Sequence, residues 1–386
     1  MKKILEGSHA IAEAVRLVKP EVISAYPITP QTHIVERLAE MVADGDLDSE
    51  YICVESEFSA LSACLGASAA GSRVYSATSS QGLLFMAEVC FNVAGMRQPV
   101  VMSIANRAVS APLSIWNDQQ DSICLRDSGW IQLYAEDVQE TLDLHLLAYR
   151  VAEDHKVLLP VFVCFDGFII SHTYEPVDIP DEKDVNAYLP AYVPVNKLDA
   201  DDPISMGMYA TPEYYMEFRY ENDQAMTRSL DVFKQAGKEF KDLFGRDYSE
   251  LIEEYRLSDA KIAIIAMGSV CGTIKDAIDV MRAQGREVGL LKIRAYRPFP
   301  AEDIKKALSG IKKIGVLEKN ISLGSRMKGA VGLEIKDALD DSSVSVLSYV
   351  AGLGGRDIRI EDVIKMTDAI EAGNGDCFFG LREELI

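Results

Sequence analysis

Residues 20–40 read PEVISAYPITPQTHIVERLAE, and this stretch sets the reading of the fold. Its first part is β-branched and apolar and predicts a strand over 21–25. Its last part spaces apolar residues at helical intervals and predicts a helix over 30–43. A rigid corner lies between them. Tyr26 precedes Pro27 and Thr29 precedes Pro30, which biases both toward extended backbone. Pro30 suits the first helical position, where a missing N–H costs nothing, so Thr29 is expected to cap the helix. In open α/β sheets ligands bind beyond the carboxyl ends of strands, so the corner is also a candidate site. Capping alone suffices as a local explanation, although a cap hydroxyl can face a ligand as well.

The alternation continues outward. Further strands are expected over 51–54, 73–77, 99–105, 129–134 and 158–165, with helices over 57–70, 83–95 and 137–154. The last strand, LLPVFVCF, is nearly continuous in apolar residues, as a strand covered on both faces requires. Strands alternating with helices predict a parallel α/β sheet. From Tyr174 to Pro203 no period is sustained, and a surface linker is expected. Residues 213–255 are charged and read as a helical arm. A second α/β unit then begins at KIAIIAMGS, with strands expected over 261–266, 287–292, 313–317 and 343–349.

A chain of 386 residues is long for one core, in keeping with two units. With 48% hydrophobic and 26% charged residues it reads as globular. No run approaches the length a membrane helix needs. The opening MKKILEGSHAIAEAVRLV is read as a helix of the mature protein rather than a signal peptide, and the expected compartment is the cytoplasm. The net charge of −21, with no basic stripe, argues against nucleic acid as a partner. The seven cysteines form no C-x-x-C pair, and the five histidines show no metal-ligand spacing. His172, in FDGFIISHT with Asp166, is read as structural. Walker A and G-x-G-x-x-G sequences are both absent.

Three further stretches carry candidate chemistry. YICVESEFSALSACLGASAAG sets Glu55 and Glu57 just past a strand, before a helix rich in small residues that admit close approach. A carboxylate in a first helical turn is also favourable for the helix dipole alone. SATSSQGLLFM places Ser80 and Gln81 on a hydroxyl-rich turn. NRAVSAPLSIWNDQQDS is a long irregular stretch carrying Arg107, Trp116 and Asp118. Long loops in compact domains are often functional, and an arginine there can pair bidentately with a carboxylate; its plain alternative is a surface arginine.

Taken together, AYPITP, VESEFSA…GASAAG, ATSSQGLLFM, NRAVSAPLSIWNDQQD, RDSGWIQLYAE and PVFVCFDGFIISHT resemble the alpha subunits of the 2-oxoacid:ferredoxin oxidoreductase family, of the pyruvate type above all. The resemblance continues through KIRAYRPFP, VLEKNISLG and YVAGLGGRDI and so covers most of the chain. It implies a pyrimidine-type thiamine-diphosphate domain at 1–180, a linker and arm at 181–256, and a transketolase C-terminal-like α/β domain at 257–386. Thiamine diphosphate would be shared with a beta-type subunit that holds Mg2+. Gamma- and delta-type partners would supply 4Fe–4S clusters, with ferredoxin, pyruvate and coenzyme A as reaction partners. By the same resemblance Glu57 contacts N1′ of the aminopyrimidine, Arg107 meets the substrate carboxylate, and Thr29 lies beside the substrate. Tyr26, Pro27, Ser80 and Gln81 line the cofactor. The family often carries a His near NDQQD; here Gln119 and Gln120 stand in that region. Branched-chain 2-oxoacids, a non-redox thiamine enzyme subunit and a non-catalytic scaffold are the competing readings.

Overall fold

The computed structural model describes residues 1–386. Strands β1 (Lys2–Glu6), β2 (Val22–Ala25), β3 (Glu50–Cys53), β4 (Val74–Thr78), β5 (Val101–Asn106), β6 (Ile131–Tyr134), β7 (Val161–Asp166) and β8 (Tyr174–Asp178) come from the first half. The second half supplies β9 (Ile252–Tyr255), β10 (Ile262–Ala266), β11 (Val288–Ile293), β12 (Ala295–Arg297), β13 (Lys313–Glu318), β14 (Ser345–Val350) and β15 (Cys377–Phe378). They build a seven-stranded sheet in the order β12-β6-β7-β5-β4-β2-β3 and a six-stranded sheet in the order β15-β14-β13-β10-β11-β9. Each is parallel except at one edge, where β12 and β9 run antiparallel to their neighbours. Every residue of β5 and β7, the central pair of the first sheet, is buried. Helices on both faces explain why these strands are apolar without alternation.

Non-local pairing accounts for what the sequence did not show. The N-terminal stretch expected to be all helix opens with β1, which pairs antiparallel with β8 from Lys2↔Asp178 to Glu6↔Tyr174; the helix follows at Gly7–Val18. The segment expected to be a plain linker therefore begins with a strand, and it also holds the helix Glu182–Tyr188. The charged arm is one helix, Pro212–Phe244, followed by β9 rather than by more helix. The single helix expected over 83–95 is two, Ser80–Phe85 and Ala87–Gly95, joined at Met86. Strand β12 leaves the second unit to edge the first sheet, so neither sheet is one contiguous piece of chain.

The seam between the sheets is held by charge. Glu136 and Glu140 stand at the start of the helix Val138–Ala152, all of whose residues but Gln139 and Arg150 are buried. Lys292 of β11 reaches Glu136 at 2.7 Å and Glu140 at 2.8 Å, while Arg294 reaches Glu140 at 2.7 Å and Glu253 of β9 at 3.0 Å. Burial pushes the Glu140 carboxyl up, but Lys292 and Arg294 outweigh it and bring it down to about 2.

Candidate functional site

The expected helix cap is not at Thr29. Helix Thr32–Asp44 begins two residues past Pro30, and Thr29 is exposed on the corner. The Gln31 N–H donates to Ile28 O at 2.9 Å, closing a turn. Pro30 is buried against Gly167, where a Cβ would lie 2.6 Å from the proline Cγ. Gln31, fully buried, ties the corner to the sheet by donating from Nε2 to Tyr26 O at 2.8 Å and to Ala77 O at 3.2 Å. Packing against the β7 loop has therefore overridden the helix-start signal. The corner belongs to the carboxyl end of β2.

Arg107 follows β5 and is 7% exposed. Its Nη1 donates to Thr29 O at 2.7 Å, its Nε to Ser114 O at 3.2 Å and its Nη2 to Gln81 Oε1 at 3.3 Å. Three of the five guanidinium N–H groups are thereby engaged, all by neutral acceptors, and two remain. The side chain joins no ion pair. Burial pushes its pKa down, and the nearby Asp121 opposes that. The loop it opens is closed by Ala108 N donating to Trp116 O at 3.0 Å.

Asp121, the last residue of NDQQD, holds this arrangement, a role its place in that stretch did not reveal. Its Oδ2 accepts from the backbone N–H of Ser80 at 2.9 Å and of Arg107 at 3.0 Å. Its Oδ1 accepts from Asn106 Nδ2 at 2.7 Å and Ser122 N at 2.8 Å. Burial drives the carboxyl up to about 7 against the pull of those donors. One of them, Ser80, sits at φ +50°, a left-handed conformation that a residue with a Cβ adopts at a cost of about 1 kcal/mol. The Ser80 hydroxyl is turned inward, to Ala108 O and Gln81 Oε1, both at 2.5 Å. Ser80 thus positions the turn, and Gln81 is the member that reaches Arg107.

Glu57 begins the helix Glu57–Ala69, capped by Ser56, whose Oγ accepts from Ser59 N at 3.2 Å. The Glu57 carboxylate lies over Gly82: a Cβ on that glycine would stand 2.7 Å from Glu57 Oε1 and 2.6 Å from Thr78 Oγ1. Only glycine leaves the carboxylate its place. Buried polar atoms without partners gather at the same strand ends, namely Gln31 Oε1, Thr78 Oγ1 and Asn106 Oδ1. Such atoms are costly unless something completes them. The structure brings Glu57, Gln81, Arg107 and the Thr29 carbonyl into one strip. Tyr26 and Pro27 stand exposed at its edge, and Glu55 turns away to Ser59 Oγ at 2.5 Å.

Gln119 and Gln120 latch this loop to the second unit. Gln119 N donates to Lys319 O at 2.7 Å, Gln119 Nε2 to Met267 O at 3.1 Å, and Gln120 Oε1 accepts from Ile321 N at 2.8 Å. Beside them Lys319 pairs with Asp166 at 3.0 Å, both buried.

A carboxylate, an amide and a buried guanidinium with two free N–H groups thus share one strip at the strand ends. Residues 13–238 match the family model described as pyruvate flavodoxin/ferredoxin oxidoreductase, thiamine diphosphate-binding, and residues 260–363 match pyruvate:ferredoxin oxidoreductase core domain II. The pyruvate synthase subunit PorA of Methanothermobacter thermautotrophicus is 54% identical over 99% of both chains. The ketoisovalerate oxidoreductase subunit VorA of Pyrococcus abyssi is 44% identical over 97% of this chain and 96% of its own. Among solved structures, 2-oxoglutarate:ferredoxin oxidoreductase from Magnetococcus marinus superposes with a TM-score of 0.73 at 20% identity, over 96% of this chain and 65% of that one, a likeness of fold. This chain belongs to the pyruvate flavodoxin/ferredoxin oxidoreductase family, whose thiamine-diphosphate-binding fold it carries in its first sheet.

Proposed function

We propose that this chain is the alpha-type subunit of an enzyme that decarboxylates pyruvate oxidatively to acetyl-CoA, with ferredoxin as electron acceptor, or runs the reverse synthesis. The observation that carries the proposal is the strip from Glu57 over Gly82 and Gln81 to Arg107. Glu57 would hold the proton at N1′ of the aminopyrimidine, and Gly82 keeps that carboxylate in place. The two remaining N–H groups of Arg107 would receive the 2-oxo acid carboxylate, supplying positive charge locally in a chain of net charge −21. The hydroxyl of Thr29 would lie beside it, with Tyr26 and Pro27 walling the cleft. When bound, thiamine diphosphate supplies the electron sink for decarboxylation.

The strip is open on one side. Tyr26, Ile52, Phe85, Leu113, Ile115 and Trp116 are exposed on it or near it, a surface suited to burial by a partner. That partner would be a beta-type subunit holding Mg2+ and the diphosphate, with gamma- and delta-type subunits carrying 4Fe–4S clusters. The division 1–180, 181–256 and 257–386 belongs to the same reading. A place in the cytoplasm belongs to the same reading, supported by seven unpaired cysteines as in a reducing compartment; no helix is long and apolar enough to cross a membrane.

Higher identity to the pyruvate than to the ketoisovalerate relative favours the smaller substrate. The test is co-expression with the partner chains, followed by ferredoxin reduction with pyruvate or 2-oxoisovalerate, each with and without coenzyme A. Pyruvate- and coenzyme-dependent reduction is expected. Preference for the branched acid would overturn the substrate, and turnover without coenzyme A would overturn the reaction.

A further inference from the structure

We propose that Glu6, His33 and His172 form a binding site for a divalent transition ion of the zinc class. Three distant parts of the chain converge here: the end of β1, the first turn of helix Thr32–Asp44, and the segment between β7 and β8. One ligating atom from each lies within 4.8 Å of the others. Two imidazoles and a carboxylate are a borderline donor set, suited to Zn2+ with water in a fourth position.

The frame is rigid where it must be. Glu6 faces Tyr174 in the β1–β8 register, Gly7 N donates to Thr173 O at 3.1 Å, and Ser8 N to Ser171 O at 2.9 Å. Gly7 lies so close that a Cβ would fall 2.0 Å from Ile170 O. Glu6 and His172 are therefore fixed by backbone contact. His33 is the movable arm, with its side chain 43% exposed and its ring 4.6 Å from that of His172. Tetrahedral zinc bonds of about 2.0–2.1 Å set ligand atoms roughly 3.3 Å apart, so the Glu6–His33 pair at 2.6 Å must open while the widest pair, within 4.8 Å, closes, and a turn of the exposed His33 ring supplies that movement.

Outer partners are already in place. Ser171 Oγ lies 2.7 Å from His172 Nδ1 and accepts from Phe168 N at 2.8 Å, so the serine can fix the ring with Nε2 as the ligand atom. Tyr174 Oη donates to Glu6 Oε2 at 3.2 Å, leaving Oε1 for the ion. His33 Nδ1 now shares a proton with that Oε1 at 2.6 Å, and the ion would replace the proton. Bound there, it would staple the β1–β8 hairpin to the helix that follows the Pro-Ile-Thr-Pro corner.

The experiment uses the full chain, stripped with chelator and titrated with Co2+ followed by its visible d–d bands, then with Zn2+ in competition. One equivalent with a tetrahedral spectrum is expected, with a rise in Tm on Zn2+ addition. His33→Ala and His172→Ala should each weaken binding by about a hundredfold or more, and Ser171→Ala, which removes the orienting hydroxyl and with it the acceptor of the Phe168 N–H, by about tenfold. Thermal unfolding of the stripped variants checks that they fold; His33→Ala, at an exposed position, decides the matter if His172→Ala does not. Cys53→Ser/Cys124→Ser removes the two exposed thiols that could bind metal on their own. Binding that survives in His33→Ala, that follows the cysteines, or that never saturates at one equivalent overturns the proposal.

Discussion

The charged seam between the sheets and the strip at the carboxyl ends of β2, β4 and β5 use the same materials to opposite ends. Both place a buried arginine near a buried carboxylate, Glu140 at the seam and Asp121 in the strip. At the seam every strong group is matched: Glu140 faces Lys292 and Arg294, and Glu253 and Glu136 complete the ring with Lys275. In the strip Arg107 touches only neutral acceptors, Glu57 accepts no hydrogen bond from the chain, and Thr78 Oγ1 is buried alone. A completed buried network rigidifies, whereas an incomplete one holds capacity for a ligand. The seam builds the molecule and the strip waits for what it binds.

The comparison breaks hardest at Glu57. Glu57→Gln keeps size and removes only the acidic partner of N1′, so proton exchange at the cofactor C2 and turnover in the assembled enzyme should fall by roughly a hundred- to ten-thousandfold. Tm should stay put, since Glu57 makes no internal bond to lose. Gly82→Ala should produce much of the same loss from the other side, by pushing a methyl into the carboxylate. A large drop in Tm with exchange intact would place Glu57 among the structural carboxylates of the seam.

The seam should fail in stability rather than chemistry. Arg294→Ala leaves Glu140 and Glu253 short of a buried partner and should cost about 3–5 kcal/mol, with activity per folded molecule kept. Glu140, held at about 2, contributes stability that is present above its unfolded value of about 4.3 and is lost as pH falls between the two. Asp121 in the strip runs the other way. Raised to about 7, it contributes stability present below its unfolded value of about 3.9 and lost as pH rises toward 7. Denaturant titrations from acid to neutral pH should lose the acid-side slope in Glu140→Gln and the neutral-side slope in Asp121→Asn. Swapped slopes would refute the contrast.

Arg107→Ala comes next. A charge-assisted hydrogen bond contributes about 1.5–3 kcal/mol, so kcat/KM for pyruvate should fall roughly ten- to a hundredfold or more. Unchanged kinetics with both pyruvate and a branched 2-oxoacid would move the substrate carboxylate elsewhere.

What the sequence revealed follows the reach of each signal. Strands β2 to β7 and most of the helices between them were legible because hydrophobic period is a local property. The β1–β8 pair and β12 were not, because their partners lie far off in sequence and short edge strands carry little period. The same holds at the site. Motifs picked out Glu57, Gln81 and Arg107, which the fold brings into one strip. Asp121 looked like one more polar residue of NDQQDS; that all four of its hydrogen bonds come from buried donors is visible only in three dimensions. Thr29 failed as a cap because the helix-start rule cannot see Gly167 pressing on Pro30.

That failure makes Thr29 the finest test of the comparison. Its carbonyl anchors Arg107, a bond that no side-chain substitution removes. Its hydroxyl is exposed, caps no helix and has no internal hydrogen bond to lose. Thr29→Val keeps the β-branch and the carbonyl, so the seam-like part of the residue survives and only the ligand-facing part is deleted. An ordinary hydrogen bond contributes about 0.5–1.5 kcal/mol, so kcat/KM should fall roughly two- to tenfold with Tm unchanged. Thr29→Ser, which keeps a hydroxyl at the same position, should restore most of the loss. A fall in Tm in Thr29→Val with normal kinetics would show that the hydroxyl serves the corner and not the substrate. The boundary between structure and site would then run between Thr29 and Arg107.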